Sequence, residues 1–408
     1  MFETLFGTRP SVAARYRQGP LSDAREHFLK QCALQGYSQS MLKKIAWVQL
    51  SLAPHLKIDR GRLTAQDIEF AVNAHARLKG SLKSRTLFIH IATEWMRSLG
   101  CLEQSLPVES PYANQIAAFC QHLREERGLS QVTILGRCER LHWFFNSLQP
   151  YRKPLCKITV TDVDAFIEMM AKKGWKRSSL GCLAGSLRSF FHYAEAQGWC
   201  SCGLAAVIES PRIYFQERLT KGPSWQDVQR ILDSSSGDRP ADVRDHAILQ
   251  LLAIYGLRRG EVARLRLEDI DWVGDRIIVS RSKQRRTQYY PLVPAAGKAI
   301  FRYLHKVRRR CEHRTLFLTL SAPVLPLSGT SISAVVRTRI RSLGISSASN
   351  GAHCLRHACA GHLLSAGFSL KQIGDYLGHR SANSTLSYTK IDFAGLRQVA
   401  EIDLGGLL

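Results

Sequence analysis

Residues Gly351–Tyr388 read GAHCLRHACAGHLLSAGFSLKQIGDYLGHRSANSTLSY. His353 and Arg356 stand three apart, so on a helix they share a face. The small and apolar residues that follow, Ala358, Ala360, Leu363 and Leu364, let that helix pack inside a domain. Ser369–Leu377 reads as a second, short helix ended by Gly378, the usual C-terminal stop. His379 sits just past the stop. Tyr388 follows in a segment too polar to be core.

A phosphodiester offers no good handle except its charge. A protein that cuts one without a metal needs cations on the non-bridging oxygens, a nucleophile in line with the leaving group, and a proton donor for the leaving alkoxide. His353, Arg356, His379 and Tyr388 supply part of that set. Upstream, Tyr255-Gly-Leu-Arg-Arg-Gly-Glu-Val-Ala-Arg-Leu places Arg258 after a tight glycine and ahead of an apolar-periodic helix carrying Val262 and Leu265. A guanidinium at a helix N-terminus is well placed to hold an anion. Arg276–Ser280 and Gln288–Leu292 then read as a β-hairpin around the basic turn Arg281-Ser-Lys-Gln-Arg-Arg-Thr. Lys283 stands on its tip, within reach of a scissile phosphate. Arg285 and Arg286 compete with it, but arginine is a poor proton donor because its pKa stays above about 12.

The order Arg258, Lys283, His353-x-x-Arg356, Leu377-Gly-His379, Tyr388 resembles the tyrosine recombinase (phage integrase) family. The pieces that match are GLRRGEV, the lysine hairpin ending in Tyr290-Pro291-Leu292, HCLRH, YLGH and the terminal tyrosine. The likeness covers the C-terminal half well and the middle more loosely. It implies a site-specific DNA recombinase, encoded by a mobile element or a chromosome-resolving system. Tyr388 would attack a phosphate, giving a 3′-phosphotyrosyl link and a free 5′-hydroxyl. Arg258 and Arg356 would clamp the phosphate, Lys283 would protonate the leaving oxygen, His353 would help take the tyrosine proton, and His379 would donate to a phosphate oxygen. Glu261 would orient an arginine or histidine from behind. No metal or nucleotide cofactor is expected. The expected partners are double-stranded DNA with inverted-repeat sites and other protomers, assembled as a tetramer on synapsed DNA. A type IB topoisomerase, which rejoins the same strand, and a catalytically silent DNA-binding factor are the alternatives. The complete Arg, Lys, His, Arg, His, Tyr set argues against silence.

Composition agrees with such a partner. The 408 residues carry a formal charge of +24, with 57 Lys and Arg against 33 Asp and Glu. That excess suits a polyanion. The eleven cysteines are scattered, and Cys120, Cys182 and Cys359 fall inside apolar helical patterns, so they read as buried reduced thiols. His353, His357 and His362 invite a metal, but there is no His-Glu-x-x-His order and no clear third ligand. The N-terminus has no apolar core of a signal peptide, and the longest apolar run is too short for a bilayer. A cytoplasmic, nucleoid-associated protein is expected, with no membrane partner.

The fold expected is mainly α with a small β-hairpin or sheet in the catalytic domain, an α+β arrangement. Residues 1–105 read as an N-terminal helical unit behind a loose leader of about twenty residues. Residues 106–208 resemble the family's core-binding, SAM-like helical domain, 209–222 a linker, and 223–408 the catalytic domain. The two helical units match each other: Gly36-Tyr-Ser with Gly128-Leu-Ser, and Leu63-Thr-Ala-Gln-Asp-Ile with Ile158-Thr-Val-Thr-Asp-Val. An internal duplication is the reading. In the second unit Lys176, Arg177 and Arg188 are expected to meet DNA phosphates, as are Arg281, Arg285 and Arg286 of the hairpin. In the first, Lys43, Lys44, Lys79, Lys83 and Arg85 are the cations. Arg302–Arg314 reads as one basic helix.

Overall fold

The structure is a computed structural model, and it describes residues 1–56, 62–76, 82–103, 111–148, 153–212, 222–281, 286–347 and 350–379. Two compact units result: residues 1–102 with 219–408, and residues 103–218.

In the first unit, α1 (Phe2–Phe6) and α2 (Pro10–Gln18) precede a four-helix array of α3 (Ser22–Leu34), α4 (Gln39–Leu52), α5 (Ala65–Ala76) and α6 (Leu82–Ser98). The leader expected to be loose is folded. Phe2, Leu5 and Tyr16 are buried with Leu29, Ile45 and Trp95 in one apolar cluster. The fully buried Arg25 guanidinium donates to the carbonyls of Tyr16, Gly19 and Pro20, holding the leader against α3.

Residues 103–218 contain α7 (Ala113–Glu125), α8 (Gln131–Leu148), α9 (Val160–Lys172), α10 (Arg177–Ala196) and α11 (Leu204–Val207) around an aromatic core of Phe119, Phe144, Phe145, Phe190 and Phe191. Cys120, expected as a reduced thiol, is bonded to Cys138 across α7 and α8, and Cys182, expected buried, is exposed.

The remainder of the first unit begins with α12 (Trp225–Asp233), α13 (Pro240–Ile254) and α14 (Arg259–Arg264). The strands β1 (Ile270–Asp271), β2 (Arg276–Arg281) and β3 (Arg286–Pro291) form an antiparallel sheet in the order β1-β2-β3, with Ile277 opposite Tyr290 and Val279 opposite Gln288. Then come α15 (Pro294–Lys306), α16 (Gly329–Ser342), α17 (Ala352–Ser365) and α18 (Leu370–Leu377). From Ala247 to Ile254 helix α13 is apolar almost all round, so it is central, packed against α15 and α17. The basic helix expected over 302–314 stops at Lys306. The Arg308 side chain folds back to bond the carbonyls of His313, Thr315 and Leu316. Among the described residues, no helix is long and apolar enough to cross a membrane.

Candidate active site

The site is built on two glycine turns. Helix α13 ends at Tyr255, and Gly256 at φ 56° reverses the chain. A Cβ there would lie 2.4 Å from Leu377 Cδ2, so only glycine admits the close approach of α18. Arg258 then caps α14. Its backbone N–H donates to Glu261 Oε2 (2.8 Å), its Nη1 to Glu261 Oε1 (2.8 Å), and its Nη2 to the Gly378 carbonyl (2.9 Å). The second turn is Gly378 itself, left-handed at φ 62°, which ends α18 as Ser369 begins it with a capping box. A Cβ on Gly378 would lie 2.7 Å from Arg281 Nε.

Arg356 projects from α17 and is 1 % exposed. Its Nη1 donates to the Gly256 carbonyl and its Nη2 to the Leu377 carbonyl, both at 2.6 Å. The two arginines singled out in sequence therefore meet at the Leu377-Gly378-His379 turn, although they are 98 residues apart (Arg258 to Arg356).

Glu261 is the anion under this cluster, and it accepts from two arginines. Arg281 Nη1 donates to both of its oxygens (3.0 and 2.9 Å) beside the Arg258 contacts. Burial alone would raise the Glu261 pKa. The Arg281 charge and the Arg258 backbone and guanidinium donors outweigh burial and hold it below the usual carboxylate value. Arg281 was expected to meet DNA, and the structure corrects that: its buried guanidinium is paired with both oxygens of the Glu261 carboxylate. The cause is strand alternation. Ile277, Val279 and Arg281 all point inward from β2. Arg281 Nε also donates to Gln288 Oε1 (3.0 Å), and its Nη2 to the Tyr290 hydroxyl. Gln288 Nε2 donates on to the carbonyls of Asp375 (3.0 Å) and Tyr376 (3.1 Å). Sequence reasoning missed Gln288, although its place opposite Val279 on an inward row was a usable signal.

His379 is half-buried, with its backbone N–H on the Gly374 carbonyl (2.8 Å). Burial first, then the charges of Arg356, Arg258, Arg281 and His353, push its imidazole down to about 4, so it is neutral at pH 7. His353 is exposed on α17, with its ring 4.6 Å from that of His357. His357 is also held near 4, by burial and then by His353 and Arg356. The rival tyrosines are committed elsewhere. Tyr376 donates to the Ile254 carbonyl (2.9 Å), and Tyr290 to the Tyr376 carbonyl. Burial pushes Tyr290 up to about 12 and raises Tyr376 as well. Tyr289 is exposed on the sheet.

Lys283, Arg285 and Tyr388 lie outside the described residues. Arg286 opens β3 opposite Arg281. In the other unit Lys176 and Arg177 are exposed at the start of α10. Arg188 is half-buried there and donates to the Ile208 carbonyl (3.0 and 2.5 Å) and to Ser210 Oγ (3.1 Å). The phosphate contact expected of Arg188 thus gives way to tying α10 to the segment after α11.

Comparison with known proteins decides the family. Residues 224–394 match the phage integrase family, and residues 116–198 match its N-terminal SAM-like domain. The Sinorhizobium fredii protein named "Putative integrase/recombinase y4rA" is 33 % identical over 312 residues, covering 75 % of each chain. The chain belongs to the phage integrase family. As a tyrosine recombinase of that family it is an enzyme, a site-specific DNA recombinase. Tyrosine recombinase XerD of Listeria innocua is 29 % identical over 69 % of this chain and 95 % of its own. Among solved structures, a lambda integrase (75–356) dimer bound to a COC′ core site gives a TM-score of 0.54 at 18 % identity, over 67 % of this chain and 94 % of that one. XerH recombinase bound to palindromic difH substrate gives 0.54 at 16 %, over 86 % and 96 %. At those identities the likeness is one of fold.

Proposed function

We propose that Tyr388 is the nucleophile of this recombinase and that Arg258, Arg356 and His379 form its phosphate site. The observation that carries the reading is the convergence of both arginines on the Leu377-Gly378-His379 turn, nine residues ahead of Tyr388 (379 to 388). The Tyr388 phenolic oxygen attacks phosphorus as the bond to the 5′-oxygen breaks. The phenol proton goes to His353, and the leaving 5′-oxygen takes one from Lys283. A phenol of pKa about 10 is a weak nucleophile at neutral pH and needs such a base. Arg258 and Arg356 stabilise charge on the non-bridging oxygens. Neutral His379 has one ring N–H to donate to the same phosphate. Rejoining reverses each step with a 5′-hydroxyl from a partner strand.

The substrate is double-stranded DNA bearing inverted repeats, worked on by several protomers, four in the complete synapse. The solved relatives on core-site, palindromic and circular-intermediate DNA support a duplex partner. Residues 106–208 serve as the core-binding domain, with Lys176 and Arg177 on phosphates, and 223–408 as the catalytic domain, with Arg285 and Arg286 beside the DNA. A chain of charge +24 that acts on DNA works in the cytoplasm at the nucleoid.

The test is Tyr388→Phe on a nicked suicide duplex. The variant is expected to bind the duplex and to form no covalent protein–DNA adduct under denaturing electrophoresis. An adduct from the variant would overturn the assignment.

A further inference from the structure

The family's SAM-like domain matches residues 116–198, and neither family match reaches the first hundred residues. Yet α3–α6 repeat α7–α10 feature by feature. The buried Arg25, Phe28 and Cys32 of α3 correspond to the buried Ile116, Phe119 and Leu123 of α7, each pair 91 apart (25 to 116). Each helix ends in a left-handed glycine, Gly36 at φ 85° and Gly128 at φ 57°. In both, a serine two residues later caps the next helix. Ser38 Oγ accepts from the Met41 N–H, and Ser130 Oγ from the Thr133 N–H. A short 3-10 turn follows in each, Ala53–His55 and Leu155–Lys157. Next comes the same capping pair, Thr64 with Asp67 and Thr159 with Asp162. Finally Phe88, Ile91, Ala92, Trp95 and Met96 are buried on α6, as Leu183, Ser186, Leu187, Phe190 and Phe191 are on α10, each pair 95 apart (88 to 183). Shared caps, turns and core register over four helices make residues 22–102 a second SAM-like fold.

The copies differ in what they expose. Arg137 and Arg140 on α8 turn to Ser189 and Ser186 of α10. Their counterparts on α4, Ile45 and Val48, are buried apolar residues. On the outer face, Leu135 and Gly136 are replaced by the exposed Lys43 and Lys44. Lys43 Nζ sits 5.9 Å from the Phe6 ring. Lys44 is one turn from Trp47, a residue 46 % exposed whose ring meets Phe88 of α6 edge-on at 5.2 Å. Arg85, also exposed, is one turn before Phe88. Cations thus flank an aromatic pair on one face of α4 and α6, where the second copy has none of these residues. Residues 1–105 hold fifteen Lys and Arg against eight Asp and Glu, compared with twelve against eight in 106–208.

We propose that residues 22–102 are a second SAM-like module and that the Lys43, Lys44, Trp47 and Arg85 face binds duplex DNA flanking the segment held by the rest of the chain. Only the flanking position of that duplex rests on the recombinase reading. The affinity of the face for duplex can be measured without any cleavage.

The experiment follows binding of the full chain to a fluorescein-labelled random-sequence duplex by anisotropy over a range of NaCl. Each neutralised phosphate contributes about 0.9 to the slope of log affinity against log salt. The combined Lys43→Gln, Lys44→Gln, Arg85→Gln variant is expected to lower that slope by about 2.7 if each cation meets one phosphate. A control takes three exposed cations elsewhere in the same unit, Arg9→Gln, Arg15→Gln and Lys30→Gln, and is expected to keep the parent slope. Circular dichroism confirms that both remain folded, as substitutions at exposed sites allow. An unchanged slope in the face variant overturns the proposal. So does equal flattening in both variants, which would mean bulk charge and no defined face. Retention of the slope with loss of self-association by sedimentation would make the face a protein contact, and overturns it too. Failure of the recombinase reading shows separately, as absence of a Tyr388 adduct in the parent chain.

Discussion

Glu261→Gln removes one charge and almost no volume from the centre of the site. The carboxylate is 4 % exposed and faces Arg281, itself 1 % exposed, with Arg258 on its other side. Breaking a buried pair by removing one partner costs about 3–5 kcal/mol, because the partner is left charged and uncompensated. Here Arg281 bears most of that loss, since Arg258 keeps 29 % side-chain exposure and can turn to water. Small proteins lose about 1–3 kcal/mol per molar urea, so the midpoint for this unit is expected to fall by at least about 1 M. Hydrogen exchange at the β2 and β3 amides during urea titration assigns the loss to this part of the chain. Glu261→Leu combined with Arg281→Met is expected to recover at least about 2 kcal/mol relative to the sum of the single changes, since an apolar pair leaves no orphaned charge. A Glu261→Gln protein within about 0.5 kcal/mol of the parent, or an additive cycle, would refute the buried-pair reasoning.

The same carboxylate gives the pair a pH signature. Its folded pKa lies below the unfolded value of about 4.3. Its contribution is therefore complete above that value and is lost as pH falls through the folded pKa. Glu261→Gln should remove that acid-limb dependence along with the stability. Adduct formation should slow more than duplex binding weakens, because Arg258 loses the group that orients it.

Lys283→Ala should abolish adduct formation on a normal duplex and regain it on a 5′-bridging phosphorothioate, whose sulfur leaves without a proton; no rescue would make Lys283 a phosphate contact. His379, held near 4 against an unfolded value of about 6.5, makes stability rise with pH between those values, because the unfolded chain binds the extra proton there. His379→Gln should remove about half of that rise, His357 supplying the rest, and an unchanged limb would show that His379 does not titrate there. Gly256→Ala forces a left-handed residue worth about 1–2 kcal/mol and drives a methyl to 2.4 Å from Leu377 Cδ2. A lowered melting temperature and slower adduct formation are expected together, and a silent variant would mean α18 is free to shift.

Local signals in the sequence were legible wherever a single element decides the outcome. Gly378 reads as a helix stop and is one, and the hairpin falls within a residue or two of its expected bounds. Helix α18 begins at Leu370, one residue after its expected start, with Ser369 as its cap. What was not legible depends on partners far away in the chain. Arg281 looks like any basic turn residue until Glu261, twenty positions earlier, is seen beneath it. The alternation from Ile277 through Val279 already pointed inward, and the positive charge overrode that reading. The folded leader was missed for a similar reason. Its apolar residues Phe2, Leu5 and Tyr16 are few, and the carbonyls held by Arg25 carry no sequence mark.

The site residues are also the supports of the fold around them. The carbonyls of Gly256, Leu377 and Gly378 accept from Arg356 and Arg258, and those of Asp375 and Tyr376 from Gln288. These acceptors lie at the end of α13 and along the last turn of α18, where helix carbonyls have no partner within the helix. Arg356 and Arg258 satisfy the first three, the Gln288 amide satisfies the other two, and the arginines are held in orientation partly by the backbone they support. In the proposed phosphate role Arg356 would act from a guanidinium plane set by two carbonyls, and Arg258 from one set by Glu261 and the Gly378 carbonyl, which lowers the entropy lost on binding. The same economy couples stability to chemistry. Truncating Arg356 removes a charge and also orphans two carbonyls, so its loss cannot be read as catalysis alone. Glu261 and Gln288 act behind the arginines, and conservative changes at those two positions separate orientation from charge.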